Sequence, residues 1–201
     1  MRYLMLFALL AVVVATPVTA QVVTKAVTGG ENFHPSISED GNHIVFIKES
    51  RAQSDVYVMD AWNLTPTKLT TLGNITFPGG CAVSGDGKQL AFIAGKNVWT
   101  MPTAGGTPKK VTSYSGTQSA MRDVVLSRDG SKIGFTTFDS TTSIYEFAVA
   151  DAVSSSVKYL TGATLKNDYL YGTMSSDGSL VAFTAKRGGT DKDVPLDDNL
   201  A

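Results

Sequence analysis

The chain has 201 residues, with 17 Lys and Arg against 18 Asp and Glu and 43% hydrophobic residues. A net charge of −1 leaves no cationic footprint for a nucleic acid or an anionic membrane surface, and the apolar content is too high for disorder. The one cysteine, Cys81, excludes an internal disulfide; in the run Cys81-Ala82-Val83 it reads as a small buried hydrophobe.

Behind Arg2, residues 4–15 form an unbroken apolar run of 12, and Val18-Thr19-Ala20 places small residues ahead of Gln21. Charge, length and cleavage chemistry predict a secretory signal peptide over residues 1–20, and hence a periplasmic or extracellular protein. The run is too short to cross a bilayer, so no membrane span is expected once it is removed.

From there one phrase recurs four times: an apolar residue, Ser-x-Asp-Gly, then a β-rich run. The copies are Ser38-Glu39-Asp40-Gly41, Ser84-Gly85-Asp86-Gly87, Ser127-Arg128-Asp129-Gly130 and Ser175-Ser176-Asp177-Gly178. Six residues past each Asp stands a Phe: Phe46, Phe92, Phe135 and Phe183. The Asp residues are 46, 43 and 48 apart, a period that marks a blade-by-blade β-propeller. Within a copy, Asp and Gly suit a tight hairpin turn and Ser can bond the turn backbone.

The strand after each turn, over residues 43–48, 89–94, 132–137 and 180–185, alternates Ile44/Phe46, Leu90/Phe92, Ile133/Phe135 and Val181/Phe183 onto one face. Val45, Ala91, Gly134 and Ala182 lie between them, as a sheet covered on both faces requires. A third strand carries Tyr57, Trp99 and Tyr145, and a fourth ends in Leu69-Thr70, Val111-Thr112 and Leu160-Thr161. The expected fold is all-β: a β-propeller of four-stranded antiparallel blades, with about three and a half to four blades in residues 21–201. The blades fall at 29–70, 71–112, 113–161 and 162–201. The last has Pro195 where a third-strand aromatic should stand, so an incomplete propeller is expected; the alternative is a ring of four blades closed by an N-terminal strand, Val22 to Thr28, on Asp193 to Leu196.

Ser38-Glu39-Asp40-Gly41, Ile44-Val45-Phe46, Val56-Tyr57-Val58-Met59-Asp60 and Leu69-Thr70, repeated with Leu90-Ala91-Phe92, Gly105-Gly106 and Val111-Thr112, resemble the TolB-like, WD-related propeller repeats of bacterial secreted proteins. The Trp and Pro of that family's turn are absent in all four copies, so the resemblance assigns no particular partner. It implies a non-enzymatic module that binds a protein or a cell-envelope component. The alternative it implies is the propeller part of a larger prolyl-oligopeptidase-type hydrolase, with the catalytic domain elsewhere.

The search for chemistry is negative: no G-x-S-x-G elbow, P-loop, G-x-G-x-x-G or H-E-x-x-H occurs, and the reading calls for no cofactor or metal. His43 reads as a surface residue, counterpart of Lys88, Ser131 and Ser179. Propellers bind over the channel mouth, through the loops leading into each innermost strand. Those loops nominate Phe33, His34, Phe77, Arg122, Asp123, Asp168 and Tyr169 as the binding rim. The first expectation to check is export: N-terminal sequencing of secreted material should begin at Gln21, and a mature chain that starts at Met1 contradicts it.

Overall fold

Each Ser-x-Asp-Gly segment folds back on its own serine. In the computed structural model, which describes residues 31–50, 53–63, 65–71, 80–160 and 167–187, the Ser38 hydroxyl donates to Asp40 Oδ1 at 2.5 Å and accepts the His43 N–H at 3.0 Å. Asp40 Oδ1 also accepts the Asn42 N–H, and Gly41 N donates to Ser38 O at 2.9 Å. The other copies repeat this: Ser84 donates to Asp86 and accepts from Gln89, Ser127 to Asp129 and from Lys132, Ser175 to Asp177 and from Leu180. These bonds favour the ionised carboxylate. The Ser38 hydroxyl above all holds the Asp40 carboxyl down at about 2, and Ser175 does the same for Asp177.

From each turn the chain runs as a four-stranded antiparallel meander. Blade one comprises β1 (Glu31–Ile37), β2 (His43–Ser50), β3 (Gln53–Asp60) and β4 (Thr67–Lys68). Blade two comprises β5 (Cys81–Val83), β6 (Gln89–Ala94), β7 (Asn97–Pro102) and β8 (Lys109–Lys110). Blade three comprises β9 (Gln118–Leu126), β10 (Lys132–Asp139), β11 (Ile144–Asp151) and β12 (Val157–Tyr159), and blade four contributes β13 (Asn167–Met174) and β14 (Val181–Arg187). The chain is therefore an all-β, propeller-type repeat fold. Every described element is a strand, and no described helix is long and apolar enough to cross a membrane. The proposed signal peptide and residues 193–196, including Pro195, lie outside the described residues.

The fourth strands are short because a hydroxyl finishes them. Thr70 Oγ1 accepts the Val56 N–H and donates to Asp55 Oδ1. Thr112 Oγ1 takes the Val98 N–H and donates to Asn97 Oδ1 in the same way. The recurring Leu-Thr and Val-Thr endings thus substitute a side chain for further ladder bonds.

Blades stack face to face. Val45, Ile47, Val56 and Val58 of blade one pack on Cys81, Val83, Leu90, Phe92 and Met101 of blade two. The opposite face of blade two, Ala91, Ile93 and Val98, packs on Val124, Ile133, Phe135 and Ala148 of blade three. Between blades three and four Phe147 stacks on Phe183 at 5.9 Å. Gly134 makes room for it: a Cβ there would lie 2.8 Å from Val125 and 3.0 Å from Phe147.

Two expectations of register are corrected. Tyr57 stands opposite Phe46 and Lys68, and Trp99 opposite Phe92 and Lys110. The residue opposite Phe135 and Tyr159 is Ala148, not Tyr145, which faces Phe138 three positions further out. The hairpins of blades one and three both extend eight residue pairs, but the last pair encloses four residues in blade three (Asp139↔Ile144) against two in blade one (Ser50↔Gln53), so blade three's terminal aromatic mimics the repeat. Likewise His43 is half-buried, and its counterparts are Gln89, Lys132 and Leu180, the residues whose N–H groups reach the turn serine.

Phe92 is fully buried between two blades, so Phe92→Ala should cost about 3–5 kcal/mol in denaturant melts. Ser127→Ala removes one buried hydroxyl that serves two partners and should cost about 1–3 kcal/mol. A Ser127→Ala melt indistinguishable from wild type would contradict the role given to that hydroxyl.

Candidate functional site

The innermost strands do not run straight. Pairing slips between Phe33 and Ser36 in β1, between Arg122 and Val125 in β9, and between Leu170 and Thr173 in β13. Counted back four residues from the turn serine, the bulge positions are His34, Asp123 and Tyr171; Gly80 stands at the same position in blade two, just ahead of a ladder without a slip. His34, Gly80 and Asp123 adopt φ of 50°, 81° and 61°. Left-handed backbone costs a non-glycine residue on the order of 1 kcal/mol and concentrates where a fold presents side chains to a ligand. Gly, Asp and His are among the residues that tolerate it best.

These bulges line a cleft of about 370 Å³ along which β1, β5, β9 and β13 converge. Its walls include His34, Cys81, Asp123, Leu126 and Met174. The His34 carbonyl accepts a hydrogen bond from Cys81 Sγ at 3.4 Å. Burial pushes the Cys81 thiol up to about 12, so it is neutral and unreactive near pH 7. Asp123 Oδ2 accepts from the buried Thr136 hydroxyl at 2.9 Å. The Ser36 hydroxyl accepts the Val83 N–H at 3.2 Å, tying blade one to blade two.

The residues nominated from the sequence divide. His34 and Asp123 line the cleft together. Phe33 is half-buried against the core between blades one and two. Arg122 is half-buried, with its guanidinium 4.9 Å from the centre of the Tyr145 ring, so it braces the sheet rather than standing free at a rim. Asp168 and Tyr169 sit within β13, paired with Lys186 and Ala185, two to three residues further from the turn than the bulge; their side chains, like the whole of Phe77, lie outside the described residues. Loops were expected at these places; Phe33, His34, Arg122, Asp123, Asp168 and Tyr169 are instead strand residues, because a bulge breaks the two-residue alternation by which strands are read. The cleft positions Gly80, Cys81 and Met174 escaped the sequence reading. The recurrence of His, Gly and Asp four residues before the serine was the available signal.

At the opposite end the variable residues of the four turns meet. Glu39 N donates to Gly85 O at 3.0 Å, Asp86 N to Arg128 O at 2.8 Å and Arg128 N to Ser176 O at 2.6 Å. Ser176 Oγ donates to Glu39 Oε1 at 2.9 Å, and Arg128 Nη1 lies 3.4 Å from Glu39 Oε2. Fixed separations of this kind space the inner strands and so set the width of the cleft. Among the described residues no three His, Cys, Asp or Glu side chains gather as metal ligands do. The cleft combines apolar side chains such as Leu126 and Met174 with the polar His34, Ser36, Asp123 and Thr173 and an unreactive thiol.

No family profile and no curated protein matches the chain. Its fold does match solved structures. TolB from Acinetobacter baumannii superposes with a TM-score of 0.61 at 22% identity over 81% of this chain and 39% of that one. A putative TolB from Agrobacterium tumefaciens gives 0.56 at 20% identity over 79% and 55%. A puromycin-hydrolyzing peptidase from Mycobacterium tuberculosis gives 0.54 at 15% identity over 79% and 26%. The fold is thus that of a TolB-like β-propeller, and the chain spans 39% and 55% of the two TolB chains it matches.

The stacked setting of Arg122 changes what its removal should do. Arg122→Ala should destabilise by about 1 kcal/mol through the lost cation–π contact and stem packing. The exposed Lys158, changed to Ala, should stay within about 0.5 kcal/mol. Equal melts for the two variants would contradict the placement of Arg122 against Tyr145.

Proposed function

We propose that this chain acts without catalysis, as an exported propeller module that holds a protein or cell-envelope component in the cleft between its innermost strands. The observation that carries the reading is the alignment of three residues with left-handed backbone, His34, Gly80 and Asp123, around one cleft. A fold that repeats a costly backbone conformation at one level of successive blades presents those side chains in fixed directions. Export follows from the signal-peptide reading of residues 1–20, and a periplasmic or extracellular site accords with the TolB-like fold.

The propeller part of a larger hydrolase is the second reading, favoured by the likeness to the puromycin-hydrolyzing peptidase. It ranks second because the likeness is weaker, 15% identity at a TM-score of 0.54 against 22% at 0.61 for TolB from Acinetobacter baumannii.

The test is site-specific photo-crosslinking in the producing cell. A photoreactive residue at exposed cleft positions Pro35 or Thr173 should trap one discrete partner, displaced by excess unlabelled protein. The same probe at Lys158, on the outer strand, should trap none. Adducts equal at all three positions, or absent from Pro35 and Thr173, would sink the cleft as the binding site. Hydrolysis of peptidyl anilides by a longer protein that contains this chain, but not by this chain alone, would favour the second reading.

A further inference from the structure

Every turn of the repeat contains a peptide that rearranges readily when it is free. In an Asp-Gly sequence the glycine nitrogen, with no Cβ beside it, can approach and attack the aspartate Cγ. The N–Cγ bond forms, water leaves, and a succinimide ring results. Water then opens the ring at either carbonyl. One product is aspartate again; the other is isoaspartate, whose backbone is longer by a methylene. Asp-Gly occurs at Asp40-Gly41, Asp86-Gly87, Asp129-Gly130 and Asp177-Gly178, and nowhere else in the chain.

In the fold both reacting groups are already engaged. The glycine N–H donates to the carbonyl of the turn serine, at 2.9 Å for Gly41, Gly87 and Gly178 and 3.0 Å for Gly130. The aspartate Oδ1 is held from two sides. On Asp129 it accepts the Ser127 hydroxyl at 2.7 Å and the Ser131 N–H at 2.9 Å. On Asp86 it accepts the Ser84 hydroxyl at 2.7 Å and the Lys88 N–H at 3.0 Å. The four glycines share one backbone conformation, with φ of 71°, 72°, 70° and 72°. Attack on Cγ has to break the glycine's bond and swing the carboxylate out of its clamp.

The same bonds oppose the chemistry itself. Ring closure is faster from the neutral acid, whose leaving group is water. The serine hydroxyl above all holds Asp40 and Asp177 down at about 2, and the Ser131 N–H and then the Ser127 hydroxyl lower Asp129. Burial does not protect the peptide, because Asp129 is exposed. The serine beneath it, Ser127, is buried.

We infer that the four Asp-Gly peptides are sites of isoaspartate formation, each held closed by the hydroxyl of its own turn serine. The hydroxyl that shapes the blade is thus also a chemical guard. This role is independent of what the cleft binds.

The experiment is a peptide map of aged protein. A protease that cuts ahead of aspartate does not cut ahead of isoaspartate, so lost cuts report each site separately after weeks at neutral pH. The chain in denaturant supplies the unguarded rate. Folded wild type should fall at least about tenfold below it at all four sites, the factor expected when a hydrogen bond to a charged group must break before reaction. Ser127→Ala, incubated well below its own melting range, should lose that factor at Asp129 and keep the wild-type rate at Asp40, Asp86 and Asp177. Ser84→Ala should do the same at Asp86 alone.

Alanine variants that isomerise no faster than wild type overturn the inference. So does a rise at all four sites in a folded variant, which assigns the protection to the fold as a whole. Wild type alone suffices should a variant not fold: equal rates in the folded and denatured chain overturn the guard at every turn.

Discussion

One hydroxyl group in each turn carries this fold. The serine of Ser-x-Asp-Gly donates to the aspartate two residues on and accepts the N–H five residues on, at separations that barely vary among the four copies. Ser38, Ser84 and Ser127 are buried, so water cannot substitute for either bond, and alanine would strand both partners. The hydroxyl fixes the angle at which the inner strand meets the second strand. That angle brings the variable turn residues together at one end and leaves the inner strands converging along the cleft.

Between blades the fold is more permissive. The first two described interfaces are aliphatic, with one phenylalanine each from the repeat, Phe92 and Phe135. Blades three and four use stacked Phe147 and Phe183, and Gly134 gives way to fit them. A propeller needs only that facing surfaces fill the space between sheets. Chemistry can drift from interface to interface while the turns stay constant, which is why four turns align by eye and the interfaces do not.

The cleft inherits its character from both. The turns place it, and the left-handed residues His34, Gly80 and Asp123, two of them in bulges, aim its walls. Its thiol is protonated by burial, and its carboxylate and hydroxyl are held by neighbours. Such a surface offers shape and a few fixed donors and acceptors, which is what the proposed binding role requires.

The sequence by itself determined the repeat, the blade class and the position of each turn, because Ser, Asp and Gly act within six residues of one another and need no distant partner. It also determined the Phe faces and the burial of Cys81. It misread blade three, where an eight-pair hairpin with a longer turn than blade one's carried an aromatic pair, Phe138 and Tyr145, to a place that imitates Phe92 and Trp99. Half of the site was legible as residue types near the channel: His34 and Asp123 were named, whereas Gly80 and Met174 were not, and Arg122 proved to be a brace. Only the tertiary structure decided these, since a bulge adds a residue without leaving a mark on hydrophobic alternation, and the direction of a side chain beyond it depends on which neighbouring blade it meets. The turn glycines belong to the same class: a Cβ on Gly87, Gly130 or Gly178 would meet His43, Gln89 or Lys132, one on Gly41 meets no described atom within 4 Å, and packing alone distinguishes them.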